Sequence, residues 1–192
     1  MASSSSTSSP LPVLLLLVLL TASSAAGEDV AAAAGRDKLT HIRVYMHERF
    51  AGANATALAV VPSPLGASEA FGRVAVLDDE LRDGPDPASS ALIGRFQGVI
   101  AGTSLPGTAA PPAASFHSAI SLVFTAGEHA GSTLAMVGPV LGFAGAIERP
   151  LVGGTGAFRM ARGYCVMTAV AAASTAVSVV FETDLFVLLH KP

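Results

Sequence analysis

Residues 41–47 read HIRVYMH, and in this stretch the apolar residues Ile42, Val44 and Met46 alternate with polar or charged neighbours. A period of two is the pattern of a half-buried β-strand, because successive side chains of a strand point to opposite faces. Outward from this stretch, short apolar runs separated by clusters of Gly, Pro, Asp and Asn continue to about residue 188. This rhythm predicts an all-β domain built from several short strands.

The apolar runs predict eight strands and no long helix. About eight antiparallel strands make a sandwich or a closed barrel, and an eight-stranded barrel has a lumen that side chains fill or that holds one small ligand. Two segments carry other signals: residues 169–176 are rich in alanine, which also favours helix, and residues 153–156 (GGTG) are typical of a tight turn. The predicted strands lie at 41–47, 55–61, 71–77, 93–100, 120–124, 132–137, 158–168 and 177–188.

The N-terminus has the pattern of a secretory signal peptide over residues 1–26. An apolar run from Leu11 to Leu20 is followed by small residues, which is the order expected of a cleaved leader. Spanning a bilayer takes about 20 apolar residues, so this run is too short for a membrane anchor. The sequence therefore predicts a secreted, extracellular protein.

After the leader, the sequence predicts a flexible tail over residues 27–38, which are rich in Ala and charged residues, and one barrel domain over residues 39–192. Asn54-Ala55-Thr56 is an N-glycosylation sequon, which gains weight in a secreted chain and predicts an exposed loop at Asn54.

Composition and motifs exclude several function classes. The net charge is −3 and only 13% of residues are charged, which is unlike the basic surface of a nucleic-acid-binding protein. The sequence has no Gly-x-Ser-x-Gly elbow, no phosphate-binding loop and no His or Cys cluster at metal-ligand spacing. These features argue against a hydrolase, a nucleotide-dependent enzyme and a metalloenzyme.

Several short segments follow one another in a specific order and spacing. They include Tyr45-Met46-His47-Glu48, Val76-Leu77-Asp78-Asp79, residues 93–98 (IGRFQG), residues 153–156 (GGTG) and residues 159–164 (RMARGY). Together these segments resemble the dirigent family of land plants. The resemblance runs from about Leu39 to His190 and implies an eight-stranded antiparallel barrel related to allene oxide cyclase, with a ligand cavity in the lumen. It also implies a homotrimer without a cofactor, secreted to the apoplast or cell wall.

The resemblance further implies an auxiliary protein and not an enzyme. A separate oxidase, such as a laccase or peroxidase, makes phenolic radicals from monolignol-like phenylpropanoids, and the barrel fixes which faces couple into lignan-type or lignin-type products. If the barrel favours one face of the radical by about 1.4 kcal/mol, the coupling is about tenfold selective. The alternatives are a barrel enzyme of the cyclase or isoflavonoid dehydratase type, and a non-catalytic binding protein of the cell wall or of defence.

The resemblance also assigns pocket residues. Lignan-forming members use two Asp residues and one Arg; the first Asp corresponds to Glu48 and the Arg to Arg162, whereas the second Asp corresponds to Ala157. The missing acid argues against proton-transfer chemistry and predicts a divergent member that is not of the lignan-forming type.

Each pocket residue has a plainer interpretation. Glu48 could be solvated or ion-paired, and Arg162 could be a structural residue paired with Glu48 or Asp184, because buried charges need partners. Arg95, Asp78 and Asp79 are expected to fix loops or trimer contacts. The predicted pocket residues are Glu48, Arg162, Phe96, Phe124 and Phe158, of which the phenylalanines are core residues unless they line the lumen.

Overall fold

The computed structural model describes residues 37–66, 70–107 and 114–190, and gives the backbone alone at positions 37 and 190. The predicted signal peptide and nearly all of the predicted tail lie outside these ranges. Within them, no helix has the length and apolar character needed to cross a bilayer. The strands are β1 (Asp37–Arg49), β2 (Ala57–Val61), β3 (Val74–Arg82), β4 (Leu92–Gly102), β5 (Phe116–Phe124), β6 (Thr133–Val140), β7 (Ile147–Thr155), β8 (Arg162–Ala169) and β9 (Ser178–His190).

These nine strands close into an antiparallel barrel of eight positions, which confirms the predicted architecture. Each strand from β2 to β8 pairs with the next, and β9 pairs back with β1. Two strands share one edge of β3: β1 pairs with its residues 80–82 and β2 with its residues 74–77. Because β1 and β2 follow one another along the same part of the wall, nine strands fill eight positions.

β7 is the strand that the sequence did not predict. The glycine run expected to form a tight turn instead contributes its first three residues to the end of β7, and the turn begins at Gly156, where φ is 61°. Gly154 is required for a different reason, since a Cβ there would lie 2.2 Å from the Thr133 carbonyl oxygen of β6. In the alanine-rich segment, β8 ends at Ala169 and the 3-10 helix Ala171–Ala173 follows.

Alternation along the strands fills one end of the barrel with a tightly packed core. Leu81, Leu122 and Leu134 are fully buried there. The rings of Phe124 and Phe158 lie 5.4 Å apart between their centroids, and His129 packs 4.9 Å from Phe158 over the hairpin end. This end is therefore closed by side chains, and space remains only toward the other end within the part of the barrel that the structure describes.

Candidate functional site

A cavity of about 520 Å³ occupies the open end of the barrel. This volume lies within the range of about 300–1,000 Å³ that small-molecule sites occupy. Most of the wall is apolar, and small side chains along β2 and β3 leave the space that a ligand needs. The aromatic lining residues include Phe96, Phe116, Phe143 and Phe181, and the small ones include Ala57, Ala59 and Ala75.

The three predicted phenylalanines divide between the cavity and the core. Phe96 is buried and lines the cavity. Phe124 and Phe158 are equally buried, but they belong to the aromatic packing that closes the opposite end. Phe96 shares the cavity with Phe116 at the start of β5, a residue that sequence reasoning did not single out.

Arg162 and Ala157 both lie away from the cavity. Arg162 is exposed and pairs with Leu188 across β8 and β9. It lies on the outer face, because the inward positions of β8 are Cys165 and Met167, an odd number of residues away. Ala157 is exposed on the turn after β7. The structure therefore does not bring Arg162 together with Glu48. Position 157 does not line the cavity, so the alanine there does not remove an acid from the cavity wall.

Glu48 does line the cavity, near the end of β1, and it also borders a second cleft beside Asn54 and Thr56. Burial raises the pKa of its carboxyl group, because removal from water disfavours the charged form. The β1–β3 pairing runs through His47 and Glu80, so one residue further along Glu48 lies beside Asp79 on the inner face.

Asp79 is the acidic residue that sequence reasoning placed elsewhere. It is completely buried, and the Thr56 hydroxyl donates a hydrogen bond of 2.5 Å to its Oδ1, whereas its Oδ2 has no partner. Burial, with the charge of Glu48 as a smaller contribution, raises the pKa of Asp79 to about 7. Glu48 and its buried neighbour Asp79 are thus two carboxyl groups that retain protons more readily than exposed ones.

The neighbouring Asp78 and Arg95 lie on the outer wall. The Arg95 Nε donates to Asp78 Oδ1 at 2.8 Å across β3 and β4, and both side chains are partly exposed. Consecutive strand residues point to opposite faces, so one of two adjacent acids in a strand must point inward. That signal, present in the Asp78-Asp79 pair, could have identified Asp79 from the sequence.

A buried cation, Arg149 on β7, also lines the cavity and was not predicted. Its Nη2 donates to Ser118 Oγ at 2.7 Å and to the Gly138 carbonyl oxygen at 3.3 Å. Desolvation lowers the pKa of its guanidinium group. The described lining of the cavity therefore includes the guanidinium groups of the buried Arg149 and the exposed Arg73, and the carboxyl group of Glu48.

Asn54 is exposed on the turn between β1 and β2. This placement is accessible to a glycan, whereas the third sequon residue, Thr56, is engaged with Asp79.

Comparison with known proteins agrees with the architecture. A family described as "Dirigent-like protein" matches residues 39–188. The chain is 39% identical to Dirigent protein 1 of Arabidopsis thaliana, over 68% of this chain and 69% of that protein. It is 31% identical to Pterocarpan synthase 1 of Glycyrrhiza echinata, over 79% and 78% of the two chains. The solved structure of a pterocarpan synthase dirigent protein has a TM-score of 0.69 at 30% identity, covering 81% of this chain and 93% of its own.

Proposed function

This chain belongs to the dirigent family, and from that membership we propose that it orients phenolic radicals in its lumen and so sets the stereochemistry of their coupling. The radicals come from a separate oxidase such as a laccase or peroxidase. The observation that carries the proposal is the cavity of about 520 Å³ lined by phenylalanine rings and small apolar residues. Such a wall holds a flat phenylpropanoid by burial and ring contacts, and exposes one face to its coupling partner.

The test is an oxidase-coupled reaction. Coniferyl alcohol is oxidised by laccase with and without the protein, and the coupled products are separated by chiral chromatography. A changed ratio of enantiomers with an unchanged rate of oxidation supports the proposal, whereas racemic products across a panel of monolignols would contradict it.

Filling the cavity should remove the effect of the protein on the enantiomer ratio. Ala75→Phe places a phenyl ring among lining residues of β3, and we expect the products to become racemic because the radical is excluded from the lumen. Thr168→Phe is the control, since Thr168 lies at an exposed, outward position of β8 and should leave the enantiomer ratio unchanged. Equal loss in both variants would show that a lumen-bound radical is not the controlled species.

A dehydrating barrel enzyme is the second candidate, and the buried Glu48 and Asp79 carboxyl groups favour it. A protonated carboxyl could give its proton to a leaving hydroxyl, which departs as water, while an ionised one takes the proton of the phenol whose oxygen closes the new ring. The 31% identity to a pterocarpan synthase adds support. Omitting the oxidase separates the two candidates, because only the enzyme forms product from an isoflavonoid alcohol alone.

Secretion and glycosylation at Asn54 belong to the same proposal. Family membership and the apolar leader support export to the apoplast, and the exposed turn at Asn54 supports a glycan. Asn54→Gln is the suitable substitution for testing the glycan by mass, because Thr56→Ala would also remove the hydrogen bond to Asp79.

We expect self-association, as a homotrimer, through an exposed apolar row on the outer wall. Leu58, Val76 and Val99 are directly paired across β2, β3 and β4, and are 54%, 39% and 45% exposed. Val76→Glu should convert a species of three chain masses into single chains in sedimentation equilibrium, since the charge would be buried. Val152→Glu, at an exposed position of β7, should leave the mass unchanged; a wild type of one chain mass would refute the assembly.

A further inference from the structure

Arg149 is a charged side chain in an apolar place. It is 3% exposed, and its position on β7 lies between the inward-facing Ile147 and Leu151. Its Nη2 reaches Ser118 Oγ on β5 and the Gly138 carbonyl oxygen on β6. The fold therefore holds the guanidinium inside the barrel and away from bulk water.

The charge of Arg149 is not balanced by any acid among the described residues. Its two hydrogen bonds go to neutral acceptors, Ser118 Oγ and the Gly138 carbonyl oxygen, and both use Nη2. Nε is buried without a partner. The residue paired with it across β7 and β8 is Cys165, whose thiol has a pKa raised by burial to about 12 and so carries no counter-charge at neutral pH.

A buried cation without a counter-ion is costly for a protein that has no use for it. Guanidinium stays charged at every relevant pH, and burial of an uncompensated charge costs several kcal/mol. Partial pairing with a hydroxyl and a carbonyl oxygen leaves most of that cost in place. An apolar side chain of similar size at position 149 would remove the cost, so the charge itself requires an explanation.

Arg149 is one of the residues that line the proposed substrate cavity, and its Nη1 takes no part in the two hydrogen bonds made by Nη2. A guanidinium N–H donates a strong, charge-assisted hydrogen bond to a carboxylate. A phenol, with a pKa near that of Tyr at about 10, is neutral at pH 7 and offers no charge to balance the cation. Anionic oxygen is the shared chemistry, and among its sources an aromatic carboxylate fits both the ring-lined wall and the cation at neutral pH.

We propose that Arg149 is a specificity-determining residue that binds the carboxylate of a phenolic acid, so that this barrel takes a hydroxycinnamate-type anion in preference to a neutral monolignol. Ser118 and the Gly138 carbonyl oxygen hold Nη2 and leave Nη1 for the ligand. The inference deepens the proposed function and rests on it for the identity of the cavity as the substrate site.

Equilibrium binding without any oxidase tests this inference. The probes are ferulate, its methyl ester and coniferyl alcohol, titrated at pH 7 into the wild type, Arg149→Met and Arg149→Lys. These probes share the phenol ring and differ at the carboxyl end. We expect the wild type to bind ferulate about 10- to 100-fold more tightly than the two neutral probes, the ratio that a charge-assisted pair supplies.

Arg149→Met should lose most of the preference for ferulate, because it leaves only the exposed Arg73 as a cation in the described lining. Arg149→Lys should keep part of the preference, since it retains the charge without the planar guanidinium. Arg149→Met should also unfold at the same temperature as the ligand-free wild type or higher, which a merely structural arginine would not allow. If Arg149→Met weakens the binding of all three probes to the same extent, the guanidinium contacts the phenol end that they share. That result would overturn the carboxylate assignment. A wild type without preference for ferulate overturns it as well.

Failure of this inference and failure of the proposed function give different results. Arg149-dependent binding of ferulate with racemic coupling products would contradict the proposed control of radical coupling and support the anion site. Stereoselective coupling of coniferyl alcohol with no preference for ferulate would do the reverse.

Discussion

Gly98→Ala is expected to destabilise the barrel by about 3 kcal/mol or more and to reduce soluble yield sharply. Gly98 lies in the middle of β4, where it pairs with Leu77 and Ile120. A Cβ at this position would lie 2.1 Å from the Ala119 carbonyl oxygen and 2.9 Å from Ile120 Cα. Backbone atoms of a paired strand cannot move aside without breaking the pairing, so the added methyl group must distort the β4–β5 wall.

Equilibrium unfolding in urea measures this effect, with Gly127→Ala as the matched control. Gly127 has a φ of 76° and nothing within 4 Å of an added Cβ. The same substitution there introduces only backbone strain, worth about 1–2 kcal/mol. If the two variants lose equal stability, the barrel relaxes around Gly98, and the close approach of the β5 backbone is not the reason for the glycine.

Asp79→Asn is expected to make the protein more stable at alkaline pH. Burial raises the pKa of Asp79 from 3.8 to about 7, so the folded state holds this proton more tightly than the unfolded chain. Stability from this group is therefore greatest below pH 4, falls as the pH rises to 7, and stays low above it. At about 1.4 kcal/mol per pH unit, the advantage of Asp79→Asn over the wild type should grow by roughly 3 kcal/mol between pH 5 and pH 8.

The substitution changes little else. Asn Oδ1 still accepts the hydrogen bond from Thr56, and the second polar atom of residue 79 has no partner in either protein. Asp78→Asn is the control, because Asp78 is exposed and its ion pair with Arg95 lowers its pKa; its loss should cost at most about 1 kcal/mol. Urea titrations at the two pH values give the comparison, and parallel pH profiles for the wild type and Asp79→Asn would contradict a raised pKa.

The closure of the barrel could be predicted from the chain, whereas β7 could not. Strands such as β1 alternate apolar and polar residues, and that alternation is a local property. β7 contains a proline and two glycines, and the charged Arg149 occupies one of its inward positions, between Ile147 and Leu151. A charge at an inward position erases the period of two, so the strand becomes evident only when β6 and β8 pair with it.

The site was predicted in part for a related reason. Glu48 and Phe96 were identified through the family resemblance, and both line the cavity. Arg149 and Asp79 were missed because a charged residue in a sequence is ordinarily expected in water. Their burial depends on closure of the lumen around them. Arg162 shows the opposite error, since a motif position does not specify which face of β8 a side chain occupies.

The shared edge of β3 lets β2 shape the cavity without being the strand that closes the barrel. β1 closes the wall through residues 80–82 of β3, while the short β2 covers residues 74–77 and contributes Ala57 and Ala59 to the cavity. Among the described strands, β2 pairs only with β3. Larger or smaller residues on β2 can therefore change the cavity volume while the pairing of β1 with β3 keeps the barrel closed. We therefore expect substitutions that alter substrate range, natural or engineered, to cost the least stability when they lie on β2.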